Sequence, residues 1–330
     1  MFRQRVIPAI AISVLLFSVV GQACNIPVFR YALERWKPDA AEILVFSRQK
    51  LPVADAAWVK QLRARSIEGG GHLNASVVEV DLDGSVDADK IDLFGQLPKA
   101  ATLPHIVVRS KIGRGKWINH WHGSLAGAKQ LGIANSPTRD RLKERLLSGH
   151  SVVWLLVRSK DSSKNQAAKE LLEQSFETLE RSVRLPEGIG LPGSELYADV
   201  PLVLKFSTLE MDPDDPREKF LLGLLTGIRQ AAFRDGEPLL IPVFGRGRAL
   251  EVIPASTASA KLVEELTIFL SGACSCQVKE QNPGFDLLLE SDWDGELFGD
   301  EENRPPDRSA EEGRNRNVSP IPIPPGRKKD

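Results

Sequence analysis

Three cysteines are the residues of this chain best suited to redox or soft-metal chemistry. Cys274 and Cys276 are separated by one serine, and such a pair binds Cu(I) or Zn(II) or cycles between thiol and disulfide. Two thiolates alone leave zinc under-coordinated, and no histidine is near them in the sequence. The alternative is a structural disulfide between Cys24 and one of the later pair, which would tie the ends of the folded region together. An odd number of cysteines leaves one thiol for another role.

Histidines form the second set of candidate ligands. His120 and His122 alternate with Trp117 and Trp121, so the period of a strand predicts both imidazoles on one face and both indoles on the other. His105 is expected on a neighbouring strand, and three imidazoles can hold a metal. The alternative is an exposed strand face without metal, because no carboxylate in the segment is spaced as a fourth ligand. We favour that alternative and expect no cofactor.

A longer pattern occurs twice and sets the architecture. In each copy a proline opens an apolar strand, a Gly-Arg-Gly-basic turn follows, and a second strand leads to a helix. The first copy begins at Pro104 with its turn at 113–116, and the second begins at Pro238 with its turn at 245–248. Repetition predicts two halves of similar construction. The turns could bind an anion through backbone N–H groups, but tight hairpins with solvated basic tips are favoured.

The elements before each copy complete the pattern. In the first half, after an initial helix, a strand over 42–46, a helix over 54–65 and a strand over 76–82 precede the repeated unit. The order βαβ then ββα resembles the thioredoxin fold, and the Leu103-Pro104 step stands where that fold has a cis-proline. The second half repeats this order from a strand at 152–157. The resemblance implies two tandem thioredoxin-like domains of the α/β class that bind extended peptide beside Pro104 and Pro238.

The thiols of a thioredoxin-type oxidoreductase are missing from both halves. That chemistry needs two cysteines about one turn apart at a helix N-terminus, where the helix dipole lowers the pKa of the nucleophile. The corresponding segments read Ser-Arg-Gln-Lys at 47–50 and Arg-Ser-Lys-Asp at 158–161. We therefore expect a redox-inactive protein.

Both ends of the chain differ from its middle. Arg3 and Arg5 precede an uncharged apolar run over 6–20, which predicts a signal peptide of residues 1–23 cleaved before Cys24. Cys24 would then be the mature N-terminus, either plain or lipidated. Residues 300–330 are charged and rich in proline and arginine, which predicts a disordered tail. The predicted domains between them are residues 24–149 and 150–299.

Two longer motifs carry a further resemblance. Residues 24–36 read CNIPVFRYALERW, and residues 272–288 read GACSCQVKEQNPGFDLL. Both resemble segments of uncharacterised exported proteins of planctomycete-type bacteria. This resemblance implies an exported protein of the periplasm or cell envelope, and it implies no particular activity.

Charge and the missing motifs limit the function. A formal net charge of −1 gives no basis for nucleic-acid binding, and no hydrolase elbow or nucleotide-binding loop is present. The prediction is an exported binding or scaffold protein whose partner is an unknown envelope protein or peptide, with membrane contact only through a lipid on Cys24. The alternative is a thiol-dependent redox protein or soft-metal carrier that uses Cys274 and Cys276. A third possibility is an anchoring role for the tail.

Overall fold

The structure is a computed structural model, and it describes residues 25–99, 101–112, 115–274 and 279–306. The segment predicted as a signal peptide, Cys24, Cys276 and most of the predicted tail lie outside these residues. The chain is of the mixed α/β class, with two sheets and helices packed on them. None of the helices in the described ranges combines the length and apolar character needed to cross a bilayer.

The elements of the first half follow the predicted order, with one further helix, Leu125–Leu131, before the predicted last helix. They are α1 (Val28–Arg35), β1 (Ala41–Ser47), α2 (Val53–Arg65), β2 (Ala75–Asp81), α3 (Ala88–Gly95), β3 (His105–Ile112), β4 (Lys116–Ser124), α4 (Leu125–Leu131) and α5 (Pro137–Leu147). The sheet order is β2-β1-β3-β4, with β1 and β2 parallel and the other pairs antiparallel. Helix α5 begins with Ser136 as its N-cap and a proline in its first turn, as the sequence favours.

The second half contains the remaining elements. They are β5 (Val152–Val157), α6 (Ser162–Ser182), β6 (Phe206–Met211), α7 (Lys219–Ile228), α8 (Gln230–Arg234), β7 (Leu239–Phe244), β8 (Arg248–Ala249), β9 (Ile253–Pro254), α9 (Ala260–Ser271), β10 (Phe285–Asp286) and α10 (Trp293–Phe298). The sheet order is β10-β8-β7-β5-β6, and β9 pairs with β7. Strands β5 and β6 are parallel, whereas β5 and β7 are antiparallel.

The central strands are continuous apolar runs because both of their faces are covered. In β5, Val152, Trp154 and Leu156 face the cluster that includes α1, α6 and α9. The alternate residues of β5 face a second cluster, which includes α5 and α7. Strand β1 divides in the same way: Ile43 and Val45 face α2 and α4, whereas the other face is covered by α3. Alternation along each strand therefore builds two cores at once.

Two helices of the first half pack on the second sheet. Helix α1 packs on α9 and β7, and Pro27 forms an antiparallel bridge with Ala273. Helix α5 packs on β5 and β6, so α4 is the helix that closes the first sheet. The predicted domain boundaries stay a prediction, and these contacts show that the two halves share elements.

Helix α7 lies between the two sheets. Phe220 packs into the core of the first sheet, whereas Leu221 and Leu224 pack into the core of the second. Gly223 lets the helix approach β4 closely, because a Cβ there would lie 2.1 Å from the carbonyl oxygen of His120. The contact depends on the absence of a side chain at this position.

The predicted tail begins as ordered chain. Residues Glu301–Asn303 form a short 3-10 helix, and the Arg304 guanidinium lies 4.0 Å from a carboxylate oxygen of Asp294. The prediction of disorder from residue 300 is therefore wrong for residues 300–306. Residues 307–330 lie outside the described part of the chain.

Candidate functional site

The strongest candidate site lies where β1 ends and β3 begins. Because β1 and β3 are antiparallel, with Phe46 opposite His105, the segment after β1 lies next to the segment before β3. We call residues 47–53, 102–105 and 122 the proline surface. It contains residues 47–50, which stand where a thioredoxin-type oxidoreductase would have its two cysteines, and Pro104, which was predicted to border a peptide site.

The peptide bond between Leu103 and Pro104 is cis, as the resemblance to the thioredoxin fold implied. The carbonyl of Pro104 accepts a hydrogen bond from the amide of Leu125 at 3.0 Å, which fixes the proline against the start of α4. Among the described residues, neither the N–H nor the C=O of Leu103 makes a hydrogen bond. A half-buried backbone with an open donor and an open acceptor is suited to pairing with another extended chain.

The segment after β1 has no sulfur chemistry. Arg48 forms an exposed ion pair with Asp83, with a nitrogen–oxygen distance of 2.7 Å. Val53 begins α2 after Pro52, and 89% of its surface is exposed. An aliphatic side chain this exposed offers apolar contact to a ligand. Sequence reasoning did not single out Val53, although its position just after a proline marked the start of the helix.

Two of the three candidate histidines meet at the proline surface. The Nε2 atom of His105 lies 3.3 Å from the Nδ1 atom of His122, and the rings stack with centroids 5.5 Å apart. Burial lowers the pKa of His105 below its ordinary value, and the neighbouring His122 lowers it further. His105 is buried, whereas His122 is exposed. His122, the exposed ring of the pair, can donate a hydrogen bond to a ligand or accept one from it.

His120 does not join this pair, so the expected common face is wrong. The register of β3 and β4 shifts between Val108 and Arg109, and this bulge places His120 toward α7. Its Nε2 atom lies 3.1 Å from Ser110 Oγ and its Nδ1 atom 3.3 Å from the Phe220 carbonyl oxygen. Burial lowers the pKa of His120 to about 4. Within the described ranges no group of three metal-ligating side chains comes together.

The corresponding end of the second sheet is closed by its own side chains. The amide of Ser159 donates to Asn165 Oδ1 at 2.8 Å, and Lys164 forms an ion pair with Glu237. The carbonyl of Pro238 accepts from the amide of Ala255 at 2.9 Å. The bond before Pro238 is not among the cis peptide bonds of the described chain. The two prolines are therefore unequal: the amide of Glu237, before Pro238, donates to the Ala232 carbonyl at 3.0 Å, whereas the amide of Leu103 has no acceptor among the described residues.

The second Gly-Arg-Gly-Arg turn is buried, so the prediction of a solvated basic tip is wrong there. Arg246 donates to the carbonyls of Leu33 and Glu34 at 2.8 and 3.0 Å and lies 2.7 Å from a carboxylate oxygen of Asp294. It thereby satisfies carbonyls at the C-terminal end of α1. Arg248 pairs with Asp286 at 3.1 Å. The first turn includes residues 113 and 114, which lie outside the described residues.

Cys274 is buried, with 2% of its surface exposed. Its amide donates to the carbonyl of Ile26 at 2.9 Å, in the same antiparallel contact that joins Pro27 to Ala273. The chain segments that lead to Cys24 and to Cys276 therefore start side by side. Those two cysteines lie outside the described residues, and the predicted disulfide or metal pair stays a prediction.

Comparison with known proteins gives little beyond the geometry. Neither the protein-family models nor the curated proteins contain a match. Among solved structures, one match is the crystal structure of ERdj5 form II, with 15% sequence identity and a TM-score of 0.19. The match covers 69% of this chain and 25% of that chain, so this chain spans about a quarter of its length. A TM-score this low supports no argument about the site.

Proposed function

We propose that this protein is a tandem thioredoxin-like binding protein without redox thiols that holds extended peptide at the proline surface. In the first half a parallel βαβ unit precedes an antiparallel ββα unit. The second half has the same order through β5, α6, β6, β7, β8 and α9. Helices α2 and α4 cover one face of the first sheet and α3 covers the other. This arrangement supports the thioredoxin-like assignment.

One observation carries the binding proposal. The backbone of Leu103 offers a donor and an acceptor that no described residue pairs, and the exposed side chains of Val53 and His122 belong to the same proline surface. A peptide strand that pairs with Leu103 would satisfy both groups, and Val53 would cover an apolar side chain of the peptide. Placement in the cell envelope rests on the predicted signal peptide and on the resemblance of the two terminal motifs.

The thiol alternative receives less support. A reactive or metal-binding thiol needs access to solvent and a positive environment that lowers its pKa. Cys274 is buried in the apolar cluster that contains α1 and α9. We therefore propose a binding function. Activity in a disulfide-reduction assay would instead support the thiol-dependent alternative.

Selection of displayed random peptides on the folded chain tests the proposal. Selected peptides should bind the V53D variant at least about tenfold more weakly, because a carboxylate replaces the apolar contact beside Leu103. The matched control is L191D, since Leu191 is also an exposed aliphatic residue, 62% exposed, in a loop of the second half. Both variants should keep the thermal midpoint of the parent protein.

Two results would contradict the proposal. Equal binding of the selected peptides to both variants would place the peptide site elsewhere. Reduction of insulin disulfides above the uncatalysed rate would show a redox enzyme and not a binding protein.

A further inference from the structure

The outer strand of the second sheet borders a groove. Strand β6 is the end of the sheet order, and a cavity of about 420 Å³ runs along it between α5 and α6. The amide of Arg158, after β5, donates to the Met211 carbonyl at 3.1 Å. The backbone groups of the odd-numbered residues of β6 therefore point toward β5 and form the hydrogen bonds between the two strands. The backbone groups of Thr208 and Glu210 therefore point away from the sheet and into the groove.

One end of this edge is already capped. The amide of Phe206 donates to Glu180 Oε1 at 3.2 Å, and Arg145 Nη1 donates to the Thr208 carbonyl at 2.8 Å. In the described part of the chain, no hydrogen bond reaches the amide of Thr208 or either backbone group of Glu210. Thr208 lines the groove, and its hydroxyl is buried without a hydrogen-bond partner among the described residues. The open segment is long enough for a short added strand.

The α5 wall of the groove is positively charged. Arg141 and Arg145 line it, and within the described ranges neither guanidinium forms an ion pair with a carboxylate. Burial lowers the pKa of Arg145, and the nearby charge of Arg141 lowers it further. On the opposite wall Lys169 is neutralised by Glu210, at a nitrogen–oxygen distance of 2.9 Å. Glu173 adds a second carboxylate on the α6 side, so the excess positive charge of the groove lies on its α5 wall, where it favours an anionic group of a ligand.

The spacing of the arginines matches an extended chain. Four residues along a helix separate Arg141 from Arg145 by about 6 Å. Side chains on one face of a strand are separated by about 6.6–6.8 Å. Carboxylates at alternate positions of a strand laid along β6 would thus each reach one guanidinium.

We propose that the groove beside β6 binds an extended acidic peptide. Its backbone pairs with the amide of Thr208 and with both groups of Glu210, and its alternate carboxylates contact Arg141 and Arg145. This site is independent of the proline surface, which lies at the end of the other sheet.

Fluorescence anisotropy with a labelled peptide of alternating aspartate and valine tests the charge spacing. The comparison peptide has the same composition, with its aspartates contiguous and its valines contiguous. The alternating peptide should bind more tightly, and R141Q should weaken its binding by about fivefold or more. The control is K143Q, because Lys143 is on the same helix but does not line the groove.

Hydrogen exchange of the full chain tests the pairing itself. The alternating peptide should slow exchange of the Thr208 and Glu210 amides, while the amide of Leu103 at the proline surface is unchanged. The proposal is overturned if wild-type protein binds neither peptide at millimolar concentration, or binds both equally. Equal affinity of R141Q and K143Q, or unchanged exchange at Thr208 and Glu210, would overturn it as well.

Discussion

Replacing Gly223 by alanine should loosen the contact between α7 and the first sheet. The added Cβ would lie 2.1 Å from the His120 carbonyl oxygen, a distance that requires helix and strand to separate. Overpacking of this kind costs about 1–3 kcal/mol, and the better helix propensity of alanine offsets about 1 kcal/mol. Because the clash is with backbone, which cannot rotate away, we expect the upper part of this range and a net loss of about 2 kcal/mol.

The control is alanine at Gly227 of the same helix, where a Cβ would meet no atom within 4 Å. G227A should stabilise the protein by about 0.5–1 kcal/mol through helix propensity alone. Urea unfolding followed by far-UV circular dichroism and by tryptophan fluorescence measures both variants, and Trp121 near Phe220 reports on the contact. If G223A is as stable as G227A, the close approach of α7 to β4 is wrong.

Three further predictions concern buried groups. Burial lowers the pKa of His120 in the folded protein to about 4, so the unfolded chain binds a proton at this residue more readily. The free energy of unfolding should therefore fall by up to about 3 kcal/mol as the pH drops from 6.5 to 4. Urea unfolding of H120Q across this pH range should show a shallower loss, and an unchanged slope would refute the burial of His120. R246M should destabilise by about 2–4 kcal/mol because it leaves two carbonyls of α1 unpaired and removes the nearest cation from Asp294. R48M at an exposed pair should cost less than about 1 kcal/mol, and similar unfolding midpoints would contradict this contrast. Alkylation of the native protein followed by peptide mapping should leave Cys274 unlabelled because it is buried, and rapid labelling of Cys274 in the native state would favour the thiol alternative.

Patterns that depend on neighbouring residues were predicted well from the sequence. A continuous apolar run placed β5 within its observed bounds, and the resemblance to the thioredoxin fold implied the cis bond at the Leu103-Pro104 step. The missing thiols after β1 and β5 also followed from the residues alone. The strand and the missing thiols need only the local sequence and the burial of a continuous apolar run.

Features set by distant residues were not predictable in this way. The bulge that turns His120 toward α7 brings it to Phe220, 100 residues further along the chain, and strict period 2 could not anticipate it. The burial of Arg246 depends on the end of α1, which packs on the second sheet and not on the first. A basic glycine-flanked turn has the same sequence whether its arginine meets water or backbone carbonyls.

Hydrogen exchange at the amide of Leu103, with and without a selected peptide, tests the central claim most directly. The account predicts slow exchange at Leu103 in the complex and fast exchange in the free protein, because the peptide supplies the missing acceptor. Unchanged exchange at Leu103, with protection arising at other amides, would contradict peptide binding at the proline surface.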